Sequence, residues 1–286
     1  VEAGGATVTA RVAGADLHID AGLVVGADGR GSTVRRQVGI ALERQPAAHH
    51  VAGLLISGVD ADHDVVAECD DGLFVLFHQG AGQARAYLCV ESARARRYAG
   101  PGAAQRFLRD CGGTAYPGRD AVSAASPAGP CAAVSGTDTW CDEPHAHRVV
   151  LIGDAAGHND PMIGCGLSIA LRDVRMVRDL ILDGTLGSAD FSPYASERRE
   201  RMRRLRLIAD VSAVTHAEPA GNRAARRAMV NGAMRAFEPE VFGLLVGAFV
   251  GPEAIPADLV DERLLARVRA AGTPMSSATD RGKDRC

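Results

Sequence analysis

Residues 148–173 read RVVLIGDAAGHNDPMIGCGLSIALRD. Arg148 to Ile152 form a short apolar run of the kind buried inside a sheet. The run delivers an acid, Asp154, at its C-terminal end. Small residues Ala155, Ala156 and Gly157 follow, so a ligand can come close to the backbone. Pro161 fixes a bend. Gly164 and Gly166 flank Cys165 directly before Leu167 to Leu182, where apolar positions recur at helical spacing. A glycine-bracketed helix start presents unpaired N–H groups and the positive end of the dipole. It suits a ligand edge that carries or develops negative charge, while an acid at a strand tip suits sugar-like hydroxyls. Together they point to a cofactor with a polyol and an anionic ring.

Upstream, the same grammar recurs. Leu23-Val24-Val25 reads as a short core strand, followed by GADGRGSTVR from Gly26 to Arg35. Asp28 sits at the strand end beside Gly29, Ser32 is placed to cap a short helix, and Arg35 is expected to face a phosphate. Before it, residues 6–12 and 17–20 alternate as strands around a turn at Gly14-Ala15-Asp16. Between the two motifs, residues 50–59, 73–78 and 84–90 are strand-like. Turns at Asp70-Asp71-Gly72 and Gly80-Ala81-Gly82 separate them, an antiparallel-sheet signature. Residues 103–111 read as helix and 112–130 as loop. Residues 191–215 continue as helix, and the chain is mostly helical to about residue 270. The last sixteen residues are polar and expected to fray.

Composition narrows the function classes. A net charge of −3 gives no overall basic field for nucleic acid, and Lys283 is the only lysine. Seven cysteines without paired spacing argue against a disulfide framework or zinc ribbon and for a reducing, cytoplasmic setting. The apolar run from Val241 to Val250 is too short to span a bilayer. Its glycines at 243, 247 and 251 are read as close helix packing.

VVGADGRGSTVR and RVVLIGDAAGHNDPMIGCGLSIALRD resemble the second and third flavin motifs of the FAD-dependent aromatic hydroxylases, the monooxygenases of the p-hydroxybenzoate hydroxylase type. The resemblance implies an α/β mix: part of a Rossmann-like FAD-binding domain (1–45 and 146–190), an antiparallel β-sheet substrate domain (46–145) and a C-terminal helical region (191–286). It implies FAD, NAD(P)H as reductant, O2, and a small organic substrate under the sheet. The implied chemistry is flavin reduction, a C4a-hydroperoxide and hydroxyl transfer. Asp154 would bind the ribityl chain, with Gly153 beside it, and Asp28, Gly29 and Arg35 the pyrophosphate–ribose part. Pro161, Gly164, Cys165, Gly166 and Leu167 would border the ring. No catalytic side chain and no metal ligand is assigned. Three positions depart from the family's common pattern: Gly157 stands where His is frequent, Asp160 where Pro is, and Cys165 where Gln is. Ser168 also replaces a frequent Asn.

The family opens with a strand, GxGxxG and a helix for the ADP half. No such βαβ unit precedes the first motif here, and the sequence opens at Val1 in strand-like residues. The expectation is a truncated hydroxylase, or one whose GxGxxG half is a separate chain, and poor FAD binding by these 286 residues alone. Two alternatives stay open: another flavoenzyme of this fold, such as a halogenase or reductase, and an inactive remnant. Trp140, the only tryptophan, cannot supply the WxWxIP stretch of tryptophan-type halogenases.

Other clusters carry blander readings. Cys165 at a helix start is read as a small residue tolerated beside a flat ring rather than a reactive thiol. Cys141, His145 and His147 fit no strong zinc spacing. The arginines at 198, 199, 201, 203, 204 and 206 are read as a solvated helix face rather than a nicotinamide-phosphate site.

Overall fold

A computed structural model describes residues 6–59, 63–69, 72–112, 116, 118–184, 189–217, 223–256, 260 and 262–271. The expected turn at Asp70-Asp71 and the tail beyond residue 271 lie outside the described residues. The chain begins with a hairpin, β1 (Ala6–Val12) and β2 (Ala15–Ala21), then β3 (Val24–Gly26) and α1 (Thr33–Gln37). Next come β4 (Glu43–Gln45), β5 (His49–Ser57), β6 (Val65–Cys69), β7 (Gly72–Gly80) and β8 (Gln83–Glu91). Helices α2 (Ala103–Gly112) and α3 (Arg119–Ala124) precede β9 (Ser126–Pro127), β10 (Ala132–Ser135), β11 (Asp138–Trp140), β12 (His145–Ala146) and β13 (Val149–Leu151). Five longer helices follow among the described residues: α4 (Gly166–Asp183), α5 (Ser192–His216), α6 (Arg223–Arg235), α7 (Pro239–Val250) and α8 (Glu262–Ala271).

β13 is the hinge of the design. Val149, Val150 and Leu151 are all buried, as expected of a strand covered on both faces. It pairs with β3 in parallel and with β12 in antiparallel fashion. A parallel pair needs a long crossover, and here the whole intervening sheet is inserted in it. Helix α4 packs on this small sheet through Val177, which joins Val150, Phe191 and Tyr194 in one cluster.

The inserted sheet has the order β10-β5-β8-β7-β6, with β9 also on β5. Alternation puts Leu54, Ile56, Phe74, Leu76 and Leu88 on its core face. Phe107, Tyr116 and Val122 from the α2–α3 side close over them. Phe74 stacks on Tyr116 at 4.1 Å between ring centroids. Each such side chain contributes ~1.5–3 kcal/mol by leaving water, so this layer holds itself together.

Two expectations are corrected. Residues 112–130 are not all loop, because α3 forms directly after Gly118, whose φ of +81° makes the entry turn. β6 was not foreseen. Its five residues form an edge strand with Val66 69% exposed, so it lacks the apolar alternation that marks a central strand. Of the glycines at 243, 247 and 251, Gly247 is closely packed, since a Cβ there would run into the Ile255 side chain of the segment after α7. Among the described residues no helix is long and apolar enough to cross a membrane.

Candidate functional site

Because β3 and β13 run parallel, with Gly26 opposite Leu151, their C-terminal ends open on one edge. In open α/β sheets that edge is where ligands bind. Both sequence motifs leave from it. Arg30 bridges them, its Nε donating to Asp154 Oδ2 at 3.3 Å.

The two acids differ in what they do there. The Asp154 side chain is 42% exposed, and its only side-chain hydrogen-bond partner among the described residues is the equally exposed Arg30. Asp28 is turned onto its own helix. Its Oδ1 accepts from Ser32 Oγ at 2.5 Å, and its Oδ2 from the N–H groups of Thr33 and Val34 at 2.6 and 3.1 Å. Slight burial works against ionisation, but these donors outweigh it and hold the carboxyl below its usual range.

Arg35, expected to face a phosphate, is buried. Its Nη1 donates to the Ala155 carbonyl at 2.8 Å and Nη2 to the Arg30 carbonyl at 3.2 Å. The guanidinium spans the two motifs from inside. Beside Gly29, Gly31, Gly164 and Gly166 there is open space where a Cβ would stand. Those glycines line a surface on which a flat or extended group can lie against backbone.

Behind Asp154 stands a buttress that the sequence reading missed. Gly153, at φ +56°, opens a 3-10 turn through Ala156. Its N–H donates to Asp173 Oδ2 at 2.8 Å. Asp173 is fully buried and also accepts from Arg198 Nε at 3.1 Å and Arg201 Nη2 at 2.6 Å. Arg198, 1% exposed, donates further to the carbonyls of Gly153, Ala156 and Gly157. Tyr194 Oη donates to the Leu151 carbonyl at 2.8 Å. The solvated-face reading of the arginine run is therefore wrong for Arg198 and Arg201. Arg206 is not free either, since it lies over the Trp140 ring at 3.9 Å. The available signal was spacing: Tyr194, Arg198, Arg201 and Leu205 recur at three and four residues, so the run has an inward stripe.

Gly157 has its own reason for lacking a side chain. It sits at φ +113°, and a Cβ would run into the Thr139 carbonyl and come within 2.6 Å of Trp140 Cα. Strand β11 passes too close for histidine. His158, one place later, faces that strand instead, with Nδ1 2.8 Å from Thr139 Oγ1. Burial, then Arg30, pushes its pKa down.

The ring-bordering loop follows. A 3-10 turn at Pro161–Ile163 ends in Gly164 at φ +70°, and Cys165 caps α4 without a side-chain hydrogen bond. The first-turn N–H groups of Gly166, Leu167 and Ser168 have no carbonyl one turn back, and all three residues are exposed. Burial pushes the Cys165 thiol up, against a reactive thiolate. Of the expected site residues, then, Gly29 and Asp154 lie at the strand edge, while Gly164, Gly166 and Leu167 are exposed in the loop and first turn of α4, with Pro161 and Cys165 half-buried among them. Arg35 and Gly153 are buried, and Asp28, though exposed, hydrogen-bonds the start of its own helix.

The profile of the family described as FAD binding domain matches residues 2–209. A 3-(3-hydroxy-phenyl)propionate/3-hydroxycinnamic acid hydroxylase of Burkholderia cenocepacia is 44% identical over 68 residues, 23% of this chain and 12% of the hydroxylase. Among solved structures, the flavin-dependent halogenase CmlS aligns over 92% of this chain and 52% of its own, at 16% identity and a TM-score of 0.64. CabE, an aromatic hydroxylase from angucycline biosynthesis, aligns over 94% and 51%, at 20% identity and a TM-score of 0.60. These structural likenesses establish the fold. The chain spans about half the length of the solved relatives it matches.

Proposed function

Since the chain belongs to the FAD-binding domain family, we propose that it forms the substrate-side and flavin-ring part of an FAD-dependent monooxygenase. Its substrate class is an aromatic or polyketide-like small molecule, its reductant NAD(P)H and its oxidant O2. The observation that carries the reading is the strand edge: the Asp154 carboxylate and the open Gly29–Gly31 turn leave the same end of one parallel strand pair, and α4, with its exposed N-terminus, packs on the turn that holds Asp154.

The residues fit the cofactor. Asp154 would hold the ribityl hydroxyls, braced from behind by Arg198 and Asp173. The N–H groups of Gly166 and Leu167 would face the pyrimidine edge of the ring, where the helix dipole favours negative charge. Pro161 and Gly164 would lie along the ring. Bound FAD supplies hydride acceptance and activation of dioxygen, chemistry that no side chain here can supply. The chain's own task is to orient the cofactor and substrate and to exclude water. Residues 1–45 with 146–190 take the cofactor in this reading, 46–145 the substrate, and 191–286 the support.

Support for a GxGxxG-bearing βαβ partner, on this polypeptide or a separate one, comes from surface left uncovered. β3 is the outer strand of its sheet, with Val25 42% exposed. Leu167, Leu171, Val174 and Leu182 make an apolar stripe along α4, each between 47% and 73% exposed. The β1–β2 hairpin is exposed along most of both strands, and a lone hairpin is only marginally stable.

The test compares FAD binding by the 286-residue chain with binding after a GxGxxG βαβ segment is added in cis or in trans, followed by NAD(P)H oxidation and O2 uptake with candidate phenols. Weak binding alone, stoichiometric FAD with the segment and substrate-stimulated O2 uptake are expected. Failure of the completed protein to retain FAD would overturn the reading. Halide-dependent turnover without phenol hydroxylation would assign it to the halogenase branch.

A further inference from the structure

The first turns of α4 pack against α5 and the end of α7 around a cavity of about 220 Å3. Part of its lining is apolar: Ile169 and Leu205 are 4% and 2% exposed, and Pro252 is buried. Arg204 holds the Pro252 side in place, its Nη1 donating to the carbonyls of Pro252 and Ile255 at 3.0 and 2.7 Å. The charged part of the lining is Arg172, Arg175 and Arg201 against Glu253.

The Arg201 side chain is 6% exposed, and two of its three nitrogens are engaged. Nε donates to Glu197 at 3.2 Å and Nη2 to Asp173 at 2.6 Å. Nη1 is buried and has no hydrogen-bond partner among the described residues. Buried polar groups are as a rule satisfied, so this donor calls for an acceptor. Arg172 shares Glu197, donating from Nε at 3.2 Å, while its Nη1 lies 3.6 Å from Glu253 Oε1, beyond a hydrogen bond. In this network the guanidiniums of Arg172, Arg175, Arg198 and Arg201 stand against the carboxylates of Asp173, Glu197 and Glu253, one negative charge short. The Glu253 side chain is 57% exposed, and its carboxyl carbon lies 2.9 Å from where a Cβ on Gly251 would stand, so the missing side chain there seats the carboxylate at the cavity.

We propose that this cavity binds a small organic carboxylate. The ligand's carboxylate takes the place of Glu253 beside Arg172 and accepts from Arg201 Nη1, and its apolar body lies against Ile169, Leu205 and Pro252. Arginine forks match the planar carboxylate in shape as well as charge. A bare inorganic anion would leave the apolar lining uncovered, so an organic acid is favoured over phosphate. Glu253 is the internal competitor: it pairs with Arg172 until the ligand displaces it toward solvent. The proposal does not rest on the flavin reading.

Isothermal titration calorimetry of benzoate into the 286-residue chain at neutral pH tests this, with neutral benzamide and inorganic phosphate as comparison probes. Saturable one-to-one binding of benzoate is expected, with benzamide and phosphate each at least ~10-fold weaker. Arg172→Gln should weaken benzoate by ~10-fold or more. Glu253→Gln, which removes the competitor, should tighten it by ~3-fold, an outcome that a merely structural Glu253 would not produce. Absence of benzoate binding overturns the proposal, as does benzamide or phosphate binding as tightly as benzoate. Benzoate affinity unchanged by Arg172→Gln would put the ligand elsewhere, under the sheet for instance, and overturn it too. Should Arg172→Gln fail to fold, Glu253→Gln decides, because unchanged or weaker binding there contradicts the displacement. No flavin takes part, so failure of FAD binding would strike the flavin reading and leave this result intact.

Discussion

Asp28 and Asp154 leave the same edge of the same strand pair in nearly the same sequence grammar, and both reach solvent, yet their carboxylates have different partners. Asp28 is absorbed by three donors of the helix that follows it. Asp154 is followed by a tight turn tied backward to Arg198 and Asp173, and so stands half in solvent. An acid at a strand tip becomes available to a ligand when the backbone after it is satisfied from behind. Otherwise the acid itself caps the backbone. The donors of a buried arginine thus free the carboxylate of Asp154.

The strongest way to break this contrast is to remove the buttress. Arg198→Ala leaves Asp173 buried and short of a partner and three carbonyls without donors, for an expected loss of ~3–5 kcal/mol in urea unfolding. Gly157→Ala attacks the same turn sterically. A φ of +113° and the contact with Thr139 and Trp140 should destabilise by ~2–3 kcal/mol, read as a lower Tm.

A smaller effect lies at Asp138, where burial raises the carboxyl pKa to about 7 from 3.8. The folded state there keeps a proton that the unfolded state has released. Stability therefore falls as pH rises between those values, with a slope of at most ~1.4 kcal/mol per pH unit. Asp138→Asn keeps the acceptor for Asn159 and should flatten that part of the Tm-against-pH curve relative to wild type.

Asp28→Ala should cost ~1 kcal/mol through lost capping. Since its folded pKa is lowered, that contribution is present above pH 3.8 and fades as pH falls through the lowered value. Asp154→Ala should change stability by less than ~0.5 kcal/mol. Equal losses at Asp28 and Asp154 would erase the contrast.

Much of the fold was legible because its signals are local. The buried run before Asp154, the helical periodicity after Gly166 and the alternation of β5, β7 and β8 each follow from a few adjacent residues. What escaped depends on residues far apart in sequence. Arg198 reads as one charge in a polar run until Gly153 and Asp173, 45 and 25 residues away, supply its partners. Arg35 looked available to a phosphate because sequence does not show the Ala155 carbonyl 120 residues on. Gly157 read as a departure from a pattern, whereas its cause is a strand passing alongside. The open edge was legible in kind, as acid, glycines and helix start, but not which acid would be bonded to its own backbone.

The measurement closest to the central claim is FAD affinity of the protein completed with a GxGxxG segment, wild type against Asp154→Ala and Asp28→Ala, each checked for unchanged folding. An exposed Asp154 that holds the ribityl chain should give at least ~10-fold weaker binding on its removal, about 1.4 kcal/mol, with a smaller effect at Asp28. Undiminished FAD binding by Asp154→Ala would contradict the account.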